Sequence, residues 1–224
     1  MRKVDILGIQ FDNIDIVEAV EHVMRRMDSH TGDYILVPSY STVLASRKNR
    51  KLRRAMNGAD MVLPCGAGII AASHILGSPL MQEISGEVFA SALLARMSDC
   101  EKTVYIVGED ASTGRAAQTM ERRYPGIKIA GFSDERLADD EHIAAAINES
   151  SPDLVFVGLA GTKQELWISR SAARIKAGVI AGFGDVLAGY AGYDIPKTEK
   201  AKNALIDFPG VLLSSVWQRL TGET

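Results

Sequence analysis

Three short segments hold the side chains best suited to chemistry. Lys163-Gln164-Glu165 follows Gly158-Leu159-Ala160-Gly161-Thr162 and opens a helical pattern. A cation, an amide and a carboxylate at such a place can hold a phosphorylated or sugar ligand, because Gln offers both a donor and an acceptor. Glu165 can act as a base, or it can simply favour the first helical turn electrostatically. Gly182-Phe183-Gly184-Asp185, followed by Leu187-Ala188-Gly189, is a second polar cluster. Asp185 either meets a ligand or caps the next turn. Cys65 lies in Pro64-Cys65-Gly66-Ala67-Gly68, after an apolar run and before a helical pattern. A helix N-terminus lowers a thiol pKa. Nucleophilic catalysis also needs a nearby base, and none is evident, so a small buried residue at a tight turn is the other reading.

Two further groups are weaker. Gly108-Glu109-Asp110-Ala111-Ser112-Thr113-Gly114 follows a strand pattern and opens a helix. Backbone N–H groups there can hold a phosphate. It is neither a G-x-G-x-x-G nor a Walker loop, and an ordinary strand-to-helix turn is the simpler account. His22, His30, His74 and His142 have no partners at metal-ligand spacing. No metal site and no cofactor are expected.

The elements that must position these residues follow from periodicity. Short apolar runs at Tyr34–Val37, Met61–Leu63, Thr103–Val107, Asp153–Val157 and Val179–Ala181 predict strands, with a shorter one at Lys128–Ala130. Uninterrupted apolar runs suit strands covered on both faces, as in parallel sheets. Ile16, Val17, Val20, Val23, Met24 and Met27 recur at helical spacing behind the cap candidate Asp15. Val43, Leu44, Leu52, Ala55 and Met56 form another helical face. Further helices are predicted over 67–76, 88–97, 111–124, 140–147 and 164–175. The alternation implies an α/β fold: a doubly wound, mostly parallel sheet with helices on both faces. In such sheets ligands bind at the carboxyl edge of the strands. Gly66, Gly68, Gly108, Gly158, Gly182 and Gly184 all follow strand patterns, so a crevice near Cys65, Gly108, Gly158 and Asp185 is expected.

After Pro196 the pattern breaks. A charged stretch with Lys197, Glu199, Lys200 and Lys202 precedes Leu213, Val216, Trp217 and Leu220, which share one helical face. The expected organisation is a body over 1–196 and a short helical appendage over 197–224. That helix either packs on the body or meets a membrane or a partner.

Composition excludes more than it selects. With Lys+Arg at 25 and Asp+Glu at 28, the chain lacks the basic excess of a dedicated nucleic-acid binder. Cys65 and Cys100 are too few for a disulfide framework. No signal peptide or membrane-spanning run is read from the sequence, which makes a cytoplasmic protein the expectation.

The order of pieces resembles the WecB/TagA/CpsF family of bacterial glycosyltransferases from about Val4 to Pro196. The segments that carry the resemblance are Ile6-Leu7-Gly8-Ile9, Asn57-Gly58-Ala59-Asp60-Met61-Val62-Leu63-Pro64 and Tyr124-Pro125-Gly126. Gly158-Leu159 with Lys163-Gln164-Glu165-Leu166-Trp167-Ile168, and Gly182 to Gly189, complete it. The resemblance implies a Rossmann-like sheet and an inverting, metal-independent transfer. An N-acetylhexosamine or another hexose would pass from a UDP-sugar to a polyprenyl-diphosphate-linked acceptor in cell-surface polysaccharide synthesis. It also implies self-association and a basic carboxyl-terminal appendage that reaches the inner face of the membrane.

Several family positions differ here. Cys65 stands where the family has the Asp thought to be its general base. Val37-Pro38-Ser39 replaces Thr-x-Asn, Glu83 replaces an Arg, Val88 an Asp, and Thr162 a Pro. Lys163, Gln164, Glu165 and Asp185 are retained. The expected catalytic positions are therefore Cys65, Ser39 and Gln164. The expected substrate-binding positions are Gly66, Gly86, Gly108, Lys163, Glu165, Gly184 and Asp185. The departures also leave the alternative of a catalytically impaired homologue that binds a sugar nucleotide or acts as a scaffold subunit.

Overall fold

A computed structural model describes residues 2–29, 32–110 and 112–193. The charged stretch, the terminal helix and the expected division at 196/197 lie outside the described residues.

The chain opens with an antiparallel hairpin, β1 (Lys3–Ile6) and β2 (Ile9–Asp12). Val4, Ile6, Ile9 and Phe11 alternate inward, and Leu7-Gly8 turns with φ of 57° and 85°. Positive φ at both central residues matches the right-handed twist of the paired strands. Then come α1 (Ile16–Ser29), β3 (Asp33–Leu36), α2 (Tyr40–Lys48), α3 (Arg50–Asn57), β4 (Met61–Val62), α4 (Ala67–Ile75) and α5 (Gly86–Asp99). The second half holds β5 (Thr103–Gly108), α6 (Ser112–Arg123), β6 (Lys128–Asp134), α7 (Asp140–Ser150), β7 (Leu154–Val157), α8 (Lys163–Ser171), β8 (Val179–Gly182) and α9 (Val186–Tyr190).

Six strands form one parallel sheet in the order β4-β3-β8-β7-β5-β6. Two cores sandwich it. Along β7, Leu154 and Phe156 enter the core under α1, α5, α6 and α9, while Val155 and Val157 enter the core under α3, α4, α7, α8 and the hairpin. Two-sided burial explains why the strands read as unbroken apolar runs. β6, at the edge, is half-exposed and runs to Asp134, beyond the three residues its apolar run predicts. The helical run from Val43 to Met56 is split, because Asn49 adopts an extended conformation and its side chain accepts from the N–H groups of Lys51 and Leu52. Such a cap satisfies donors that the first turn of the new helix would otherwise leave unpaired.

The neighbours β3 and β8 send their next helices to opposite faces. α2 packs with Tyr40 and Val43 in one core, and α9 packs with Leu187 and Tyr190 in the other. Helices that diverge over adjacent parallel strands leave a crevice between them. Trp167 and Ile168 are fully buried on α8. At roughly 1.5–3 kcal/mol per large side chain, they hold the start of that helix against the sheet beside the crevice.

Candidate active site

The crevice contains a cavity of about 660 Å³. Its walls come from the loop after β3 and the start of α2 (Val37, Ser39, Ser41, Thr42), the loop after β4 (Cys65), the loop after β7 and the start of α8 (Gly161, Gln164, Glu165), the turn from β8 into α9 (Phe183 to Val186), and the segment entering α5 (Glu83, Ser85, Gly86, Glu87). Of the expected positions, Cys65, Ser39, Gln164, Gly86, Glu165, Gly184 and Asp185 therefore meet in one place.

Gln164 is the best-fixed side chain there. It is 2% exposed. Its Oε1 accepts the backbone N–H of Gly184 at 2.5 Å, and its Nε2 donates to Glu165 Oε1 at 3.4 Å. The backbone donor sets which way the amide faces, leaving Nε2 as the donor end. This approach requires bare backbone at position 182, where a Cβ would lie 2.7 Å from Gln164 Nε2 and 2.9 Å from Ile168 Cδ1. Gly184 itself has φ +57°, a left-handed conformation that glycine adopts without strain.

Glu165 is 1% exposed, and its Oε2 has no hydrogen-bond partner. Burial pushes its carboxyl up to about 7, against smaller opposing effects from its own backbone N–H and the Gln164 amide. A carboxylate kept in such surroundings costs stability, and perturbed groups of this kind gather at functional clefts.

Ser39 caps α2, its Oγ accepting from Thr42 N–H at 3.3 Å. The same Oγ lies 2.8 Å from Ser41 Oγ and 3.0 Å from Thr42 Oγ1, so three hydroxyls cluster on this wall. Cys65 is half-buried and makes no disulfide among the described residues, and the preceding Pro64 carbonyl accepts from Ile84 N–H at 2.8 Å, drawing the Glu83–Ser85 segment to the rim. Glu83, Glu87, Glu165 and Asp185 put four carboxylates in the lining, and no Lys or Arg is among the described residues there.

Three expected positions are placed elsewhere. Lys163 turns to the loops after β5 and β6, with its Nζ 2.5 Å from Glu135 and 3.5 Å from Glu109. Glu109 also accepts from Ala160 N–H at 3.1 Å, so this group braces the loop that leads into α8. Gly108 packs against Thr113 and Leu187. Gly66 is the residue before α4, with φ +103°, and does not line the cavity. Ser41, Thr42 and Glu87 line it without having been singled out from the sequence; the first two were legible as hydroxyls directly following the β3 run.

The family model of the glycosyl transferase WecG/TagA/CpsF family matches residues 4–198. A relative from Bacillus spizizenii (strain W23) is 30% identical over 196 residues, covering 84% of this chain and 76% of the relative. One from Staphylococcus aureus (strain MRSA252) is 29% identical over 193 residues, covering 85% and 76%. Both are named N-acetylglucosaminyldiphosphoundecaprenol N-acetyl-beta-D-mannosaminyltransferase.

Proposed function

Because the chain belongs to the glycosyl transferase WecG/TagA/CpsF family, we propose that it moves an N-acetylhexosamine or another hexose from a UDP-sugar to a polyprenyl-diphosphate-linked acceptor in cell-surface polysaccharide synthesis. The names of its relatives make N-acetylmannosamine the first donor sugar to try, and diphosphoundecaprenol-linked N-acetylglucosamine the first acceptor. The observation that carries this reading is the carboxyl-edge cavity of about 660 Å³ with Gln164 locked in its wall. That volume lies within the range of small-ligand sites.

Inverting transfer is one displacement. The acceptor hydroxyl attacks the anomeric carbon, the bond to the diphosphate breaks, and UDP leaves with the electron pair. The walls must align both sugars, take up the hydroxyl proton and stabilise the departing charge. Gln164 is read as the fixed donor to the nucleotide sugar. The hydroxyls of Ser39, Ser41 and Thr42 and the start of α2 are read as the uncharged donors facing the diphosphate. Cys65 and Asp185 border the space between the two substrates. Among the described residues no helix is long and apolar enough to cross a membrane. The proposed lipid-linked acceptor puts the work of the chain at the inner membrane face.

The test uses the full chain with UDP-N-acetylmannosamine, UDP-N-acetylglucosamine and UDP-glucose and a short-chain polyprenyl-diphosphate N-acetylglucosamine. Gain of one sugar residue, read by mass spectrometry, is the expected result. No product with any donor would overturn the reading. The alternative of a non-catalytic subunit draws no support from the relatives, which carry the names of transferases.

A further inference from the structure

We infer that Glu165 is the group that takes the proton from the attacking acceptor hydroxyl. This rests on the transferase reading above and assigns a part of it that the residue at position 65 leaves open.

The balance of the step is simple. As the acceptor oxygen bonds to the anomeric carbon and the anomeric bond to UDP breaks, the hydroxyl proton passes to a Glu165 carboxylate oxygen. UDP carries off the electron pair of the broken bond, and the protonated carboxyl releases its proton after product leaves.

The lining of the cavity narrows the choice. Glu83 and Glu87 are exposed on the rim, where water competes with the acceptor for a carboxylate that no packing holds in place. Asp185 sits in the turn between β8 and α9 and is partly exposed. Glu165 is enclosed, belongs to the first turn of a helix anchored by Trp167 and Ile168, and keeps one oxygen without a partner while the other meets the Gln164 amide. The carboxylate torsion is soft, so a rotation from this enclosed position can turn an oxygen toward the cavity that Glu165 helps to line. Burial also brings its pKa to about 7, which suits proton transfer at working pH.

No cation among the described residues of the lining offsets the burial of Glu165. Across the cavity stand Cys65, Glu83, Glu87 and Asp185. From α3, packed on α8, Arg50, Lys51, Arg53 and Arg54 are exposed outward. From β3, Asp33 pairs with Arg26, and the Tyr34 hydroxyl donates to the Ala55 carbonyl. On α8 itself, Lys163 is held by Glu135, and Arg170 by Asp140.

The experiment measures transfer and UDP-sugar affinity for the full chain, Glu165→Gln, and Glu165→Gln combined with Cys65→Asp. The single variant should lose about 100-fold or more in kcat while keeping UDP-sugar affinity within a few-fold, and the acid limb of the wild-type pH profile should disappear. The double variant should recover at least a tenth of wild-type rate, because it restores a carboxylate at the family position. That recovery distinguishes loss of a base from loss of the fold. A Glu165→Gln chain that turns over within tenfold of wild type overturns the assignment alone. So does an inactive single variant that Cys65→Asp does not rescue. A wild-type chain that transfers no sugar overturns the transferase reading and this assignment together.

Discussion

Gln164 Oε1 accepts the backbone N–H of Gly184 at 2.5 Å, so one side chain joins the helix after β7 to the turn after β8. The bond has a structural and a functional consequence. Gln164→Ala would orphan a partly buried N–H and empty a buried position, at a cost of about 1–3 kcal/mol. In a chain of this size that lowers Tm by roughly 2–4 °C per kcal/mol. UDP-sugar affinity should fall in parallel, because the turn carrying Gly184 and Asp185 loses its register. Calorimetric melting and ligand titration check both. Unchanged affinity in a chain that melts lower would place Gln164 in the scaffold only.

Gly182→Ala is expected to mimic that lesion from the other side. The new methyl would meet Gln164 Nε2 at 2.7 Å and Ile168 Cδ1 at 2.9 Å. Overpacking of this kind costs about 1–3 kcal/mol. Since both substitutions act on the same amide, their effects should not add. A double-mutant cycle on affinity should show coupling, and strict additivity would mean that the Gly182 backbone matters for some other reason.

How far the sequence reached depends on which force placed each element. β3, β5, β7 and β8 were legible because both sheet faces are buried, and the apolar runs say so directly. The hairpin of β1 and β2 was readable in the alternation of Val4, Ile6, Ile9 and Phe11, yet it reads weakly beside the longer helical pattern that follows. The break at Asn49 depends on a cap that periodicity does not register. In the cavity, Gln164, Glu165, Gly184 and Asp185 were legible as polar residues after apolar runs. The direction of Lys163 was not, because it is set by Glu109 and Glu135 on loops remote in sequence. The burial of Glu165 was also hidden, since a Glu in a first helical turn reads as solvated.

Stability should depend on pH through Glu165. Its folded pKa is raised from 4.5 to about 7, so the folded state holds a proton that the unfolded state has released between those values. Stability from this group is then full below the unfolded pKa, declines as pH rises towards 7, and stays reduced above it. At 1.36 kcal/mol per unit, the loss amounts to about 3 kcal/mol. Urea unfolding of wild type and Glu165→Gln at mildly acidic and mildly alkaline pH measures it. The variant should lack this decline and be the more stable chain on the alkaline side. Equal slopes in the two chains would refute the buried, unpartnered carboxyl.

Lys163→Met tests the placement of that cation. Its side chain is 42% exposed and pairs with Glu135 and Glu109 rather than lining the cavity. Its partners are less exposed, Glu135 at 14% and Glu109 at 23%, so the stability loss should reach the upper end of the roughly 0–1 kcal/mol of exposed pairs or somewhat more and should shrink in salt. UDP-sugar affinity should change less than about threefold, well under the tenfold that 1.4 kcal/mol represents. A loss of affinity comparable to that of Gln164→Ala would mean that the lysine swings into the cavity when the diphosphate arrives.

Glu83→Arg addresses the charge of the cavity itself. A diphosphate entering the space between Ser39 and Gln164 meets four carboxylates and, among the described residues, no lining cation. Glu83, like Glu87, is exposed at the rim, so replacing it disturbs little packing. The change removes one repulsion and adds one attraction. Each is worth about 1 kcal/mol for solvated charges several ångströms apart. The variant should therefore bind UDP-sugar on the order of tenfold tighter at low salt. The gain should fade as the Debye length drops from about 10 Å at 0.1 M to about 3 Å at 1 M salt. Titration calorimetry at the two salt concentrations reads both features. Tighter binding that persists at high salt would point to a direct contact between the new guanidinium and the diphosphate, whereas unchanged or weaker binding would show that the nucleotide lies away from this rim.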